Sequence, residues 1–248
     1  MGGSVPIKTI VITGSGMGIG AETARQLAAG NRLILHYHTS KDDALALRAE
    51  LAPRCASVEV IGADLTTDTG CGDFLREVST RTDTLDVLVN NAGGLIERRS
   101  VPELSWEHLV DTFRLNTFSA MRLTSLCVEL LRRGTDPCVV NVTSIAIRHG
   151  SPTATAYGAA KAALDAFTRG AANELAPRIR VNAVAPGIID TRFHERITPA
   201  ARMNQWIENT PLRRVGVVLD VARTVKFLVD NDFMTGETVD CNGGLSMR

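Results

Sequence analysis

The chain has 248 residues, of which 44% are hydrophobic and 22% are charged. This length suits one large α/β unit, and the apolar content allows a sizeable core and excludes a disordered chain. Lys plus Arg and Asp plus Glu each number 27, so charge gives no reason to expect nucleic acid or an anionic membrane as a partner.

The pattern of cysteines and of apolar segments indicates the cellular compartment of the protein. The five cysteines are scattered, without a CxxC pair, a pattern typical of reduced cytosolic thiols and not of a disulfide framework or a zinc site. The amino-terminal letters MGGSVPIKTI lack the features of a signal peptide, and no apolar run approaches the length of a membrane span. We therefore expect a cytoplasmic protein with no membrane segment and no metal site.

The first unit predicts a strand, a glycine-rich turn and a helix in succession. Ile7–Thr13 suits a strand buried on both faces of a parallel sheet, and the letters TGSGMGIG and AETARQLAAG follow it. Gly14 permits a tight turn, Gly18 lets the backbone approach a pyrophosphate, and Gly20 lets helix and strand pack closely, beside the positive end of the helix dipole. A turn that only reverses the chain is the alternative. The predicted nucleotide contacts here are Gly14, Ser15, Met17, Gly18 and Ile19.

The second strand and the turn after it, residues 32–40, bear on the choice of cofactor. In many dinucleotide-binding folds an acidic residue at this strand end binds the adenosine ribose hydroxyls. Here the end reads YHTS, with no carboxylate until Asp42. Because an acid would repel a 2′-phosphate, its absence favours NADP(H) over NAD(H), with His38, Thr39 and Ser40 as the contacts. The alternative is a polar turn whose Ser40 caps the next helix.

The ends of the third and fourth predicted strands supply further candidates. Asp64 closes the strand predicted over Ser57–Leu65, where it either reaches an adenine edge or caps the next helix. The fourth strand, Leu85–Val89, runs into NNAG, whose small residues leave room for a ligand outside the carboxyl ends of the strands. Asn90 is either catalytic or a structural tie between strands. The predicted cofactor contacts are Asp64, Leu65, Asn91, Ala92 and Gly93.

Residues 103–133 form a long helical pattern that predicts two helices. Asn116 lies inside it, and Asn is unfavourable there because its amide competes for backbone hydrogen bonds. Its presence indicates a kink or a bound water. A fifth strand, Cys138–Val142, then delivers Ser144 to the same edge of the sheet.

The spacing of Tyr157 and Lys161 suggests an activated tyrosine. Positions four apart share one face of a helix, and a nearby ammonium lowers the pKa of a phenol from its ordinary value near 10. At about 4 Å and an effective dielectric of about 20 the attraction is on the order of 4 kcal/mol. The alternative is an ordinary Tyr beside a surface Lys, since YxxxK also occurs by chance.

The carboxyl-terminal third begins with a sixth strand, Ile179–Ala185, and the turn PG. From Arg192 to about Arg214 the sequence is irregular and polar, which indicates either a mobile lid over a ligand or a surface loop with a short helix. A helix over Asp220–Val229 and a last strand within residues 235–244 complete the chain.

The chain resembles the short-chain dehydrogenases/reductases in the order and spacing of its motifs, over nearly its whole length. The motifs are TGSGMGIG, NNAG, Asn116, Ser144, YGAAK and PGIIDT. The resemblance implies one NAD(P)-binding domain over residues 1–248, a single-domain Rossmann fold. Its doubly wound parallel sheet would have about seven strands with helices on both faces, and a substrate lid would cover residues 190–214. It also implies a homo-oligomer, a tetramer or a dimer.

The resemblance assigns roles to the candidate residues. Tyr157 would be the general acid for carbonyl reduction, and Lys161 would lower its pKa and bind the nicotinamide ribose. Ser144 would hold the substrate oxygen, and Asn116 would position water in a proton relay to Lys161. Hydride would pass between NADP(H), with NAD less favoured, and a small-molecule carbonyl substrate. The implied contacts at the nicotinamide end are Pro186, Gly187, Ile188, Ile189 and Thr191.

The resemblance leaves the substrate open. PLRRVG and the overall pattern are similar to 3-oxoacyl-carrier-protein reductases, yet those often carry an Arg where this chain has Asn173. HYHTS is similar to pteridine reductases, which usually place a basic residue where this chain has Gly18. The same motifs are compatible with reduction of a sugar or another ketone, and with a catalytically silent NADP-binding regulator. His149 and His194 either face the substrate or lie in exposed loops.

Overall fold

Seven parallel strands form the central sheet, in the order β3-β2-β1-β4-β5-β6-β9. The structure, a computed structural model, describes residues 6–191 and 200–247. The order reverses beside β1, which pairs with β2 on one side and β4 on the other. This switch opens a crevice at the carboxyl ends of the strands. The sheet strands are Thr9–Ile12 (β1), Arg32–Tyr37 (β2), Ser57–Gly62 (β3), Val87–Asn90 (β4), Cys138–Val142 (β5), Arg180–Pro186 (β6) and Thr238–Cys241 (β9).

Helices connect these strands, and a second, two-stranded parallel sheet pairs β7, Ile189–Asp190, with β8, Gly216–Val217. None of the helices in the described part of the chain is long and apolar enough to cross a membrane. The helices are Gly18–Leu27 (α1), Lys41–Leu51 (α2), Asp68–Ser79 (α3), Trp106–Phe113 (α4), Ser119–Arg132 (α5), Ala146–His149 (α6), Thr155–Leu175 (α7), Ala200–Asn209 (α8) and Val218–Asp230 (α9).

Two hydrophobic clusters cover the two faces of the sheet. One packs α1, α2 and α9 on alternate strand residues such as Ile10 and Leu35. The other packs α3, α5 and α7 on the opposite face, through residues such as Val11 and Phe74. Successive strand residues point to opposite faces, so strands buried on both sides read as continuous apolar runs. The predicted doubly wound fold with a sheet of about seven strands is confirmed.

The long helical pattern contains the predicted irregularity. A π-helical turn over Arg114–Phe118 separates α4 from α5, and Asn116 lies within it. Such turns often occur at functional sites because they re-aim one side chain without ending the helix. The prediction of two helices is confirmed, and the irregularity expected at Asn116 takes the form of this π-helical turn.

The predicted lid lies only partly within the described residues. Residues 192–199 lie outside them, and His194 is among these. The remainder includes α8, and the predicted lid as a whole lies between β7 and β8 of the small sheet. Whether this region acts as a lid stays a prediction.

Candidate active site

The glycine turn follows β1 and begins α1. Gly14 has φ +60°, and a side chain there would place its Cβ 3.0 Å from the Cα of Ala92. A Cβ on Gly20 would lie 2.5 Å from the Nδ2 of Asn91 and closer still to the carbonyl oxygen of Gly14. Only glycine fits these two positions, the first because of its left-handed backbone and the second because of crowding. The predicted tight turn and close helix packing are both present.

Thr13 and Asn91 join this turn to the end of β4. The hydroxyl oxygen of Thr13 accepts hydrogen bonds from the backbone N–H groups of Asn91 and Ala92, at 3.0 and 2.9 Å. The Asn91 amide donates to the carbonyl oxygens of Thr13 and Gly14, both at 2.9 Å. The Asn91 side chain thus binds the protein's own backbone and holds these two turns at a fixed separation.

His36 is a supporting residue that the sequence analysis missed. It is 2% exposed on β2, and its Nδ1 accepts a hydrogen bond from the Gly14 N–H at 3.0 Å. Its Nε2 therefore carries the proton and donates to the carbonyl oxygen of Ala63, also at 3.0 Å. Burial lowers the pKa of His36 to about 4, so the imidazole is neutral at physiological pH. A histidine in an otherwise apolar strand was the available signal.

A cavity of about 290 Å³ lies between the glycine turn and the start of β7, and we call it the glycine-turn cavity. Most of the predicted cofactor contacts line it, together with three of the four predicted catalytic residues. Its predicted lining residues are Gly14, Met17, Gly18, Ile19, Asn91, Gly93, Ser144, Tyr157, Lys161, Pro186, Gly187, Ile189 and Thr191.

The remaining predicted contacts lie outside this cavity, mostly at the ends of β2 and β3. His38 and Thr39 are exposed, and the His38 Nε2 is 4.0 Å from the Asp64 Oδ1. Ser40 precedes α2 but makes no side-chain capping bond. The others are Ser15, whose hydroxyl donates to the carbonyl oxygen of His36, the buried Leu65, Ala92, and Ile188, which lines two other cavities.

The helix-capping alternative for Asp64 is wrong. Its carboxylate accepts hydrogen bonds from the hydroxyl and N–H of Thr66, at 2.6 and 3.0 Å, and these bonds lower the pKa of Asp64. The cap of α3 is Thr67, whose hydroxyl accepts from the N–H of Gly70. The capping residue lies three positions after Asp64 because α3 begins at Asp68, and Asp64 belongs to the turn before it.

Tyr157 and Lys161 lie one turn apart on α7, and Lys161 is only 3% exposed. The Lys161 Nζ donates to the carbonyl oxygen of Val142 at 2.8 Å, and burial lowers the pKa of Lys161 to about 8. Burial raises the pKa of Tyr157, and a hydrogen bond with Ser144 opposes that rise only in part. The predicted lowering of the phenol pKa is therefore not found in this structure, because desolvation of the buried phenolate raises it.

Asn116 and Lys161 converge on one corner of the glycine-turn cavity. A Cβ on Gly93 would lie 2.8 Å from the Asn116 Oδ1 and 2.9 Å from the Lys161 Nζ. The Asn116 amide accepts from the N–H of Gly94 at 2.8 Å and donates to its carbonyl oxygen at 2.9 Å. The side chain thus holds the loop after NNAG, and its water-positioning role stays a prediction.

Asn90 has the structural role that was one of the two predicted for it. It is 2% exposed, and its amide nitrogen donates to the Oδ1 of Asn141 on β5 at 2.9 Å and to the hydroxyl of Thr124 at 3.0 Å. These bonds tie β4 to β5 and to α5 beneath the site. Asn90 does not line the glycine-turn cavity.

A second cavity, of about 430 Å³, adjoins the first. We call it the α8 cavity, because Gln205, Trp206 and Asn209 of α8 form one wall. Ser144 and Tyr157 line both cavities, so a reacting group bound at their boundary would meet both hydroxyls. His149 lines the α8 cavity while largely exposed, and its Nδ1 lies 2.8 Å from the carbonyl oxygen of Gly150.

The glycine-turn cavity suits a nicotinamide dinucleotide. The N-cap residue of α1, Met17, makes no side-chain capping bond, so the first N–H groups of this ten-residue helix face the turn. No group of three His, Cys, Asp or Glu side chains able to hold a metal ion occurs among the residues that the structure describes. The donors at this site are backbone N–H groups, hydroxyls and one ammonium.

Comparison with known proteins agrees with this geometry. The family described as enoyl-(acyl carrier protein) reductase matches residues 14–246. The 3-oxoacyl-[acyl-carrier-protein] reductase FabG of Staphylococcus epidermidis is 34% identical over 97% of this chain and 99% of its own length.

Solved structures resemble the whole chain as well. An NADH-dependent reductase, A1-R′, responsible for alginate metabolism, has a TM-score of 0.89 and 30% identity over 98% of both chains. A short-chain dehydrogenase from Burkholderia cenocepacia in complex with NADP has a TM-score of 0.88 and 28% identity, covering 96% of this chain and 97% of its own.

Proposed function

Because this chain belongs to the short-chain dehydrogenase/reductase family, we propose that it transfers a hydride between NADP(H) and a small carbonyl or secondary-alcohol substrate. The chain is an oxidoreductase of this family, and the proposal concerns its cofactor, substrate and residues. The observation that carries it is the shared position of Ser144 and Tyr157, which line both the glycine-turn cavity and the α8 cavity.

Tyr157 is the proton donor of the proposed reduction. The nicotinamide, when bound in the glycine-turn cavity, supplies the hydride. Negative charge then develops on the substrate oxygen, and hydroxyl groups already aimed at that oxygen stabilise it. Because burial raises the pKa of Tyr157, the phenol keeps its proton at neutral pH and donates it to this oxygen. Ser144 holds the same oxygen by a second hydrogen bond.

Lys161 is the group that returns a proton to Tyr157 in the proposed reaction. With a pKa of about 8, its ammonium is mostly charged at neutral pH. The bond to the Val142 carbonyl oxygen keeps Nζ beside the Gly93 and Asn116 corner. In this proposal Lys161 binds the cofactor ribose and replenishes the proton of Tyr157, by way of water held near Asn116.

The end of β2 supports NADP(H) as the cofactor. His38, Thr39 and Ser40 offer an imidazole and two hydroxyls, and no carboxylate lies within that turn. Asp64 approaches from β3, but its carboxylate oxygen is bonded to Thr66 and lies 4.0 Å from His38.

A 3-oxoacyl thioester is the first substrate to test, because the Staphylococcus epidermidis relative carries that name. Asn173 is exposed on α7, at the position where the resemblance implied an Arg for carrier-protein docking. A neutral residue there weakens the case for an acidic carrier protein and favours a small free substrate. Pterins, sugars and other ketones form the remaining panel.

The test follows NADPH oxidation with a short 3-oxoacyl thioester, beside NADH and the Tyr157→Phe variant. We expect turnover that favours NADPH and falls about 10³-fold in Tyr157→Phe, since only the proton donor is lost. NADPH affinity, measured by fluorescence, should be unchanged. Turnover retained by the variant contradicts the role of Tyr157, and failure to bind either nucleotide contradicts the whole proposal.

We also propose that the chain assembles with copies of itself, as a dimer or a tetramer. Large apolar side chains stand exposed near its carboxyl end: Phe233 is 97% exposed, Met247 75% and Leu212 64%. Exposed apolar groups of this size are typical of association surfaces. Light scattering after size-exclusion chromatography measures the assembly, and a monomer at micromolar concentration contradicts it.

A further inference from the structure

A helix of a single turn, α6, follows Ser144 directly. It spans only Ala146–His149. The N–H of Ile147 donates to the carbonyl oxygen of Ser144 at 3.1 Å, so the turn is continuous with Ser144 itself. A helix this short is not stable by its own hydrogen bonds. The position of α6, and with it that of Ser144, therefore depends on contacts with other elements.

The hydroxyl of Ser144 is coupled to the first residue of α6. Its oxygen accepts a hydrogen bond from the N–H of Ala146 at 3.2 Å. Between these two residues, the N–H of Ile145 donates to the carbonyl oxygen of Pro186, at the end of β6, at 2.8 Å. The backbone beside Ser144 is thus fixed to the sheet, whereas the direction of its hydroxyl follows the position of α6. A shift of α6 would turn that hydroxyl.

Arg148 fixes the far end of α6 to the edge strand of the sheet. Its Nε donates to the Oδ1 of Asp240 on β9 at 3.1 Å, across 92 positions in the sequence. The two side chains are only 14% and 17% exposed, whereas those of a surface pair, Arg76 and Asp73, are 74% and 53% exposed. Salt screens a buried pair much less than an exposed one, and exposed pairs contribute little. The Arg148–Asp240 pair therefore holds α6 against β9.

The same strand also holds the turn at the cofactor end of the site. The N–H of Gly187, which lines the glycine-turn cavity, donates to the carbonyl oxygen of Cys241 at 2.8 Å. Cys241 follows Asp240 on β9, and Asp240 lies beside Ala185 of β6 in the register of the sheet. Two consecutive residues of one strand thus hold the Gly187 turn and α6. The placement of the Ser144 hydroxyl relative to the cofactor cavity is fixed through β9.

α6 contacts the start of α7 as well, beside Tyr157. A Cβ on Gly158, the next residue, would lie 3.4 Å from the carbonyl oxygen of Ala146. The single turn therefore has α7 against its first residue and β9 bonded to its third residue, Arg148. Loss of the bond to β9 would leave α6 free to move relative to Tyr157.

We infer that Arg148 is a positioning residue for the proposed reduction at Tyr157. Its ion pair with Asp240 holds α6 in place, and α6 orients the Ser144 hydroxyl towards the boundary of the two cavities, where the substrate oxygen would lie. The inference rests on the proposed function. Arg148 lines neither the glycine-turn cavity nor the α8 cavity, so its effect on the reaction passes through Ser144.

The experiment is a double-mutant cycle between Arg148 and Ser144. It measures kcat with NADPH and the carbonyl compound that gives the highest turnover in the panel above. Arg148→Met should lower kcat by about 10- to 100-fold, because misplacing a reacting group by about 1 Å has an effect of that order. NADPH affinity should be unchanged. In the Ser144→Ala protein the same change should lower kcat by less than about twofold, because the hydroxyl that Arg148 positions is already absent.

Two further variants separate positioning from a general loss of stability. Arg148→Lys keeps the positive charge and should recover part of the lost rate. If Arg148→Met does not fold, Arg148→Lys takes its place in the cycle. Arg122→Met is the matched control, because Arg122 forms an ion pair with Asp68 at 2.6 Å and lines neither cavity. Its kcat should equal that of the unaltered protein.

The outcomes distinguish this inference from the proposed function. An equal fold-loss from Arg148→Met with and without the Ser144 hydroxyl, or no loss at all, overturns the inference and leaves the proposed function standing. If no carbonyl compound is reduced although NADPH binds, the proposed function fails. Hydrogen–deuterium exchange then tests the anchoring of α6: exchange over residues 145–150 should rise about 10-fold or more in Arg148→Met and stay unchanged in Arg122→Met. Unchanged exchange in both variants overturns the inference.

Discussion

The glycine-turn cavity and the α8 cavity meet at Tyr157 and Ser144 but are built in different ways. Around the glycine turn, buried side chains bind backbone groups: Thr13 and His36 each hold two neighbouring segments within 3.0 Å. The α8 cavity is instead walled mostly by loop residues, together with parts of α6, α7 and α8, and its lining residue His149 is exposed to solvent.

This difference in construction implies that one cavity fixes the geometry of the reaction and the other determines which substrate binds. A side chain that binds backbone groups on two elements cannot change without moving both, so the geometry at the cofactor end is fixed by the core. Side chains on loops change without disturbing the sheet, and binding specificity commonly lies there. Variants around the glycine-turn cavity should therefore alter catalysis or stability, and variants in the α8 cavity should alter the preference among substrates.

The largest expected effect is on turnover, at Lys161. Lys161→Met should lower kcat for carbonyl reduction by about 10²- to 10⁴-fold, because the proton of Tyr157 is no longer replenished. In the unaltered protein the rate should fall as pH rises through about 8, where the Lys161 ammonium loses its charge. Steady-state kinetics across pH measures both, and an alkaline decline that persists in Lys161→Met would assign it to another group.

His36 tests whether the buried network contributes to stability. The unfolded imidazole titrates near 6.5, whereas burial lowers the pKa of His36 to about 4. Protons thus bind the unfolded chain first, so the free energy of unfolding is unaffected above pH 6.5. It should fall by on the order of 3 kcal/mol as pH drops towards 4.

Urea denaturation at several pH values measures this dependence. His36→Leu should lose that part of the pH dependence, and all other titrating groups remain the same in the two proteins. His36→Asn places an amide oxygen near the position of Nδ1 and should retain more cofactor affinity than His36→Leu. Identical pH profiles for the unaltered protein and His36→Leu would contradict the assignment.

The close packing at the glycine turn can be tested with one methyl group. Gly20→Ala should lower the free energy of unfolding by about 2 kcal/mol and weaken NADPH binding, since the new Cβ overlaps backbone and Asn91. Gly72→Ala on α3 is the matched control, because nothing lies within 4 Å of its Cβ position. Thermal melts and NADPH titration compare the two, and equal behaviour would show that the turn adapts.

The smallest expected effect is a change in cofactor preference, caused by a substitution of Tyr37 at the carboxyl end of β2. Tyr37→Asp should shift the ratio of kcat/KM values towards NADH by about 10-fold, because a carboxylate there repels a 2′-phosphate. The Tyr37 ring packs on Gly62, so Tyr37→Asn is needed to separate loss of the ring from gain of charge. An equal shift in both variants would exclude charge as the cause.

Local patterns in the sequence determined the fold class and most of the candidate site. Apolar strand runs, the glycine turn, NNAG, and the spacing of Tyr157 and Lys161 each depend on residues close in sequence. Strand and helix periodicity and the backbone freedom of glycine act over that same range. For this reason most of the predicted contacts do line one cavity.

Only the tertiary structure decided what lies between elements distant in sequence. His36 binds Gly14 across 22 positions, Asn91 binds the turn across 77, and Arg98, in a loop, lies 5.9 Å from the centre of the Trp206 ring on α8. The pKa of Tyr157 was predicted in the wrong direction for the same reason. The spacing to Lys161 is local, whereas burial by the surrounding elements is not, and it is burial that raises the pKa of Tyr157.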